Sequence, residues 1–438
     1  MPIHKSGPKT NLENYRPISL LPVFSKVYEK CMKSRLCRFL EKYSIINSNQ
    51  FGFQSGKNTS DAILNHLKYT YDSLDDRMHT ISVFIDYRKA FDTINHKILL
   101  DKLFHYGIRG IPLAWFQDYL TNRTQQTKIG KISSTKRPLN IGVPQGSVLG
   151  PILFILYIND LPKLSNNLHV TLFADDTTIS LSDLNYSDLM RRMNLELRKL
   201  KDWTISNRLS LNVKKTSAMI VTCRKIPDIN DDLHIGDERV QFCKSTKFLG
   251  LTIDNKLNFR DHIDQTCSKI SRSIGIIHRL SSLAPPSALR MLYFTLVYPY
   301  LIYANVAWGG TFTTNLTPLV TLNKKVVRIL CGESHRSHTN PLFKKTNILK
   351  IQCLHKFLLA QYIYKHPHIV SLASHSHNTR QRLFAVPVSS HRLDITRRSP
   401  HFNGLMLWNS LPQLVRSSPS LSIFKSRLKS HLISFYDE

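Results

Sequence analysis

The chain has 438 residues, of which 42% are hydrophobic and 21% charged. That is enough for two or three domains with sizeable cores, and it excludes a chain that is disordered throughout. Lys and Arg number 60 against 30 Asp and Glu, a net charge of +30. Such a surplus points to a polyanionic partner, and nucleic acid is the usual one.

The surplus is uneven, because residues 271–438 carry 21 basic and only 4 acidic side chains. The 7 cysteines are odd in number and scattered, which speaks against a disulfide framework and for a reducing compartment. The spacing of Cys331, His335, His338, Cys353 and His355 fits no zinc pattern, so no zinc is expected. The longest apolar stretch, "LYFTLVYPYLIYANVAW", is interrupted by Pro299. It reads as buried core, and no membrane association is expected.

In chain order, a Pro- and Lys-rich loop leads into a helix over residues 26–46. A polar loop, "NSNQFGFQSGKNTS", follows, and Thr59 or Ser60 is the expected cap of a helix to about residue 77. "HTISVFID" reads as a strand. Helices are expected across "INHKILLDKLFHYG", closed by Gly107, and across "PLAWFQDYL". "TQQTKIGKISSTKRPLNIGVPQGS" reads as strands joined by turns, and "SVLGPILFILYINDL" as a helix. "VTLFADDTTISL" has the pattern strand, tight turn, strand, with Asp175 and Asp176 at the bend. An amphipathic helix spans 188–203, and "SAMIVT" and "TKFLGLTID" read as strands. Beyond residue 258 the pattern is helical to Leu330, and a last amphipathic piece is "SLSIFKSRLKSHLISF".

Two strand ends carry acids. "ISVFID" delivers Asp86 to the end of an apolar strand, and "FADDT" delivers Asp175 and Asp176 to a hairpin bend. If those strands are neighbours, three carboxylates converge. Such a cluster is stable at neutral pH only with a cation, and hard oxygen ligands favour Mg²⁺, with Mn²⁺ a second choice. Considered alone, an Asp-Asp pair is more often a turn cap than a metal site.

The segments around these acids decide the matter. "YRPISLLPVFSKVYEK", "QFGFQSG", "FIDYRKAFDTINHKILLDKL", "YGIRG", "GVPQGSVLGPILFILYINDL", "LFADDT" and "KFLGLTID" occur in that order. Together they resemble the reverse transcriptases of non-LTR (LINE-type, Jockey-like) retrotransposons. The likeness runs from about residue 2 to 256, and "LVYPYLIYANVAWG" and "LMLWNSLPQLVRSS" resemble the region that follows the polymerase.

The resemblance implies an α/β (α+β) right-hand polymerase fold. Fingers and palm would occupy 1–256, with the N-terminal fingers incomplete, a helical thumb-like region 257–330, and a basic region 331–438. It implies Asp86, Asp175 and Asp176 as metal ligands and catalytic residues, and Lys215 (or its neighbour Lys214) as a proton donor to pyrophosphate. Arg16 would contact the triphosphate. Phe91 would exclude a 2′-hydroxyl, and Gln145 and Gly146 would lie against the incoming nucleotide and template. Phe248, Leu249 and Gly250 would grip the primer. The implied partners are an RNA template, a DNA primer and deoxynucleoside triphosphates, and the implied location is the nucleus or cytoplasm. The family pattern also implies a chain shortened at its N-terminus. A second reading therefore keeps the same core as a catalytically inactive, nucleic-acid-binding remnant. Group II intron maturases and telomerase are more distant readings, since neither normally joins these motifs to "WNSLP".

Overall fold

The computed structural model describes residues 1–5, 7–226, 232–367, 369 and 391–436. Part of the basic region read over 331–438 therefore lies outside the described residues. The chain divides into two compact units. The first comprises Met1–Ala62, Ile81–Ala218 and Ile226–Cys243, and the second Ile63–Thr80, Met219–Lys225 and Lys244–Glu438.

The first unit opens with a small antiparallel pair, β1 (Pro2–His4) and β2 (Tyr15–Pro17). Helix α1 then runs Val23–Lys42, earlier at both ends than the 26–46 read from periodicity. Pro22 stands just before its first turn, and Ser44 beyond its end has a left-handed φ of 48° that stops the helix. Helix α2 spans Thr59–Asp75, and from Ile63 onward it belongs to the second unit. Its cap is Asn58, not Thr59 or Ser60: Asn58 Oδ1 accepts from the N–H of Ser60 (2.8 Å) and Asp61 (3.2 Å). Asp61 returns the bond to the Asn58 N–H at 2.9 Å, which makes a reciprocal capping box.

Strand β3 (His79–Ile85) is buried along its whole length. Helices α3 (His96–His105) and α4 (Ile111–Leu120) follow, with Gly107 at φ 91° just past the end of α3. Four two-residue strands follow, β4 (Thr124–Gln125), β5 (Lys128–Ile129), β6 (Ile132–Ser133) and β7 (Arg137–Pro138). Helix α5 (Gly150–Tyr157) is apolar all round and almost wholly buried, as "PILFILY" requires. A hairpin joins β8 (His169–Phe173) to β9 (Asp176–Asp183), and α6 covers Tyr186–Ser206. Asn185 caps α6 by accepting from the N–H of Ser187 and Asp188.

The main sheet adds β10 (Ser217–Val221) and a hairpin of β11 (Leu233–Ile235) and β12 (Glu238–Phe242). Its strand order is β11-β12-β10-β3-β9-β8. That order makes β3 and β9, the two strands that carry the acids, immediate neighbours.

The second unit contains the antiparallel pair β13 (Ser245–Phe248) and β14 (Leu251–Asp254). Helix α7 (Arg260–Leu280) buries Ile263, Ile270, Ile274 and Ile277 on one face. Asp254 ends β14 and caps the turn into α7. Its carboxylate accepts from the N–H of Lys256 (3.0 Å), Asn258 (3.2 Å) and Phe259 (2.6 Å). The apolar stretch that contains Pro299 is three short helices, Pro286–Leu296, Tyr298–Ile302 and Asn305–Trp308. Proline stands in the first turn of the second of these, where its missing N–H costs nothing. Longer helices follow at Thr313–Cys331 and Ile351–Lys365. Among the described residues no helix is long and apolar enough to cross a membrane.

Candidate active site

Asp86 is the residue after β3, and the segment that precedes β10 holds it. Asn212 donates its backbone N–H to the Asp86 carbonyl (2.8 Å) and its side-chain amide to Asp86 Oδ2 (3.0 Å). Thr216 Oγ1 accepts from the Asp86 N–H at 3.3 Å. The backbone is thus pinned on both sides.

The β8–β9 hairpin pairs Phe173 with Asp176, which leaves Ala174 and Asp175 as its two turn residues. Asp175 therefore lies in the bend, and Asp176 opens β9. Ala174 is left-handed, at φ 55°. Primed hairpin turns need positive φ, and glycine or asparagine is the usual occupant.

The charge of Asp86 is felt at both hairpin acids. The Asp175 carboxyl is raised above its ordinary range by partial desolvation and by the charge of Asp86, against Arg16 and Lys5, which lower it. Asp176 is pushed up to about 6, first by desolvation and then by the charges of Asp175 and Asp86. Both side chains stay open to water at their tips. Arg16, in β2, is exposed and within electrostatic reach of Asp175.

The "GVPQGS" loop lies along "AFDTIN". Gly142 donates to the Ile94 carbonyl (2.7 Å) and Val143 to that of Phe91 (2.9 Å). A Cβ on Gly142 would sit 2.7 Å from the Asp92 carbonyl oxygen, so only glycine fits. Gln145 turns its amide onto Asp92 and donates to both carboxylate oxygens, at 3.0 and 2.9 Å. Its own carbonyl accepts from the Ser19 N–H at 2.8 Å. Gly146 has φ 103°, and the space its missing side chain leaves faces the Ser19 carbonyl oxygen. Phe91 is half-buried and packs on Phe154 of α5, with ring centroids 4.8 Å apart.

The remaining expected residues lie elsewhere. Lys215 is exposed on the turn that follows Asn212, and no hydrogen bond or ion pair joins it to the aspartates among the described residues. Phe248, Leu249 and Gly250 belong to the second unit, at the β13–β14 bend. Phe248 is buried and meets the His66 ring edge-on at 5.5 Å. Leu249 and Gly250 are the two turn residues, both left-handed, and the Tyr303 hydroxyl donates to the Leu249 carbonyl.

Several residues escaped the sequence reading. Buried Glu29 reaches from α1 to accept from the N–H of Val148 (2.6 Å) and Leu149 (3.1 Å), just before α5. Asn212, Asp92, Gln50 and Gly52 were also missed. The glycine of "QFGF", set between aromatics, was the available signal, since an isolated glycine marks a close backbone approach.

A profile of the reverse transcriptase (RNA-dependent DNA polymerase) family matches residues 3–253. The chain belongs to the reverse transcriptase family. It is 28% identical over 368 residues to a probable RNA-directed DNA polymerase from transposon BS of Drosophila melanogaster, a match over 80% of this chain and 40% of that protein. It is 27% identical to the corresponding protein of transposon X-element from the same fly, over 75% of this chain and 37% of that one. It is 24% identical to the RNA-directed DNA polymerase of the Drosophila melanogaster mobile element jockey, over 80% and 39%. The chain thus spans about 40% of the length of these curated relatives, all from transposable elements. A solved telomerase structure from Candida albicans overlaps with a TM-score of 0.40 at 12% identity, covering 75% of this chain and 59% of that one, a likeness too weak to build on.

The donor set of this reverse transcriptase chain suits a hard divalent cation, being three carboxylates without sulfur or imidazole. Asp175 and Asp176 are raised first by desolvation and then by neighbouring carboxylate charge, and a bound cation would offset both. The side chains do not form a finished cage. Among the described residues, no group of three or more His, Cys, Asp and Glu is arranged to hold a metal ion. The expected convergence is therefore one of strand neighbours and of charge, not of a completed ligand cluster.

Proposed function

We propose that this chain is an RNA-directed DNA polymerase of a non-LTR retrotransposon, extending a DNA primer on an RNA template. The observation that carries the reading is the placement of Asp86 after β3 and of Asp175 and Asp176 at the start of β9, its immediate neighbour in the sheet, with Arg16 within electrostatic reach of Asp175. Residues 1–256 would form fingers and palm, 257–330 a thumb-like region, and 331–438 a basic extension that follows the nucleic acid by phosphate contacts.

Asp86, Asp175 and Asp176 would hold two Mg²⁺ ions (or Mn²⁺). When bound, the ions supply charge neutralisation for the attacking 3′-hydroxyl and the departing pyrophosphate. Arg16 would fork onto the triphosphate, a task suited to a planar guanidinium. The Phe91 ring, backed by Phe154, would crowd a 2′-hydroxyl and so select deoxynucleotides. Gln145, braced by Asp92, and Gly146 would support the nascent base pair. Lys215 would protonate pyrophosphate. Phe248, Leu249 and Gly250 would steady the primer strand.

The test is primer extension with an RNA template, a DNA primer, Mg²⁺ and either deoxynucleotides or ribonucleotides. Wild type should extend with deoxynucleotides only. Asp175→Asn should abolish synthesis and keep salt-sensitive binding of the hybrid, because it removes a ligand and leaves the basic surface intact. Binding without extension by wild type would instead identify an inactive nucleic-acid-binding remnant. An Asp175→Asn protein that polymerises normally would refute the metal-ligand assignment.

A further inference from the structure

The bend that carries the paired aspartates is held from outside its own strands. Gln50 is completely buried and forms an isolated parallel bridge with Leu172 of β8. On either side of it, the Phe51 N–H donates to the Leu172 carbonyl (2.8 Å), and the Leu172 N–H donates to the Asn49 carbonyl (2.9 Å). The Gln50 side-chain oxygen accepts from two backbone donors, the N–H of Gly52 (2.8 Å) and that of Ala174 (3.2 Å). Ala174 is the left-handed residue of the bend, immediately before Asp175.

The segment is fitted tightly to this task. A Cβ on Gly52 would stand 2.5 Å from the Ala174 nitrogen and 3.0 Å from the Phe173 carbonyl carbon. The backbone carbonyl of Gln50 is itself held by Lys57 Nζ (2.8 Å) and Gln54 Nε2 (2.5 Å). Gln50 Nε2 is buried without a hydrogen-bond partner among the described residues. The engaged part of the side chain is therefore its acceptor oxygen, and that oxygen reaches the bend.

A left-handed alanine persists only where its surroundings over-determine it. Here the surroundings are the Gln50 oxygen and the Gly52 backbone. We infer that Gln50 is a positioning residue, which sets the backbone angle at Ala174 and thereby the direction in which Asp175 and Asp176 are presented. This rests on the polymerase reading above. It requires no contact between Gln50 and substrate.

The experiment compares wild type with Gln50→Met, which removes the acceptor at similar volume, and Gln50→Glu, which keeps an acceptor oxygen. Primer-extension kinetics are read together with hydrogen exchange. Gln50→Met should lower kcat by roughly 10- to 100-fold, the scale on which misplacement by about an ångström acts. The nucleotide KM and hybrid Kd should stay within about twofold, since binding groups are untouched. Exchange should accelerate in the peptide 169–183 and stay unchanged in the α6 peptide 186–206. Gln50→Glu should turn over at least about fivefold faster than Gln50→Met, since its oxygen can still meet both N–H groups. Unchanged kcat in Gln50→Met, equal losses in both variants, or faster exchange across both peptides would each overturn the inference. Wild type that binds but does not extend would be a failure of the polymerase reading instead. In that case exchange at 169–183 alone decides whether Gln50 holds the bend.

Discussion

The molecule contains two hairpins built to the same plan and put to different uses. β8–β9 in the first unit and β13–β14 in the second each close with two turn residues, and the first of each pair is a left-handed non-glycine: Ala174 at φ 55° and Leu249 at φ 47°. Each is braced by a side chain distant in sequence, Gln50 in one case and Tyr303 in the other. They differ in what surrounds their acids. The Asp254 carboxylate is saturated by three backbone N–H groups, whereas Asp175 and Asp176 face other carboxylates and have raised pKa values. An aspartate next to a strand is structural when backbone donors consume it. One that has carboxylates for neighbours keeps its oxygens unspent, as the role proposed for Asp175 and Asp176 requires.

Exchanging one acid in each hairpin would break the comparison most sharply. Asp254→Ala should destabilise the second unit by about 3 kcal/mol, since three N–H groups lose their acceptor. Thermal unfolding followed by circular dichroism would register it, while Asp175→Asn should leave the midpoint nearly unchanged. Next comes the second turn. Gly250 has φ 85°, and a Cβ there would meet the Tyr303 hydroxyl at 3.1 Å. Gly250→Ala should therefore cost about 1–2 kcal/mol, the scale of a left-handed alanine, in a denaturant titration.

Acid should act on the two hairpins with opposite sign. His262 accepts from the Thr252 N–H of β14, and burial lowers its pKa to about 4. Between pH 6.5 and 4 the unfolded chain binds the extra proton, so stability falls as pH falls, by about 1 kcal/mol at pH 5.5. Asp176 is raised to about 6, so between pH 6 and its ordinary value near 3.8 the folded hairpin binds the extra proton and is relieved. Hydrogen exchange of 245–254 and 169–183 in metal-free buffer, corrected for intrinsic rate, should move in opposite directions on acidification. The smallest effect is Ala174→Gly. It relaxes the backbone and should alter stability by less than about 1 kcal/mol, because glycine pays back in entropy what it saves in strain. Its midpoint, set beside that of Leu249→Gly, would rank the two bends by strain.

Local features were legible in the sequence, and distant partnerships were not. The apolar run "HTISVFI", the bend at "ADD" and the amphipathic α6 all follow from patterns within a few residues. The identity of the residue that accepts from the first turn of α2 was misread because Asn58, Thr59 and Ser60 are all good caps, and only backbone geometry chooses among them. The β11–β12 hairpin was overlooked, although Gly236-Asp237 between its short strands is a recognised turn pair. Asp86 was legible as a strand-end acid, but Asn212, which bonds it, lies 126 residues away. Nothing in a local window announces such a partner. Gln145 was read as facing substrate, and its present engagement with Asp92 depends on a register between two loops that composition does not encode.

The stitching of the site has a consequence for the order in which it is made. Gln50 meets Ala174 across 124 residues, Glu29 meets Val148 across 119, and the Asp86 N–H meets Thr216 across 130. Long loops must close before any of these bonds forms, and closure entropy is spent before the contact returns it. On a ribosome, where chains emerge N-terminus first, Asp86 would be exposed on an unfinished sheet until Thr216 had followed it. The strands that carry the acids are thus complete by residue 183, but a nascent chain that stops short of residue 216 lacks the side chain that accepts from the Asp86 N–H.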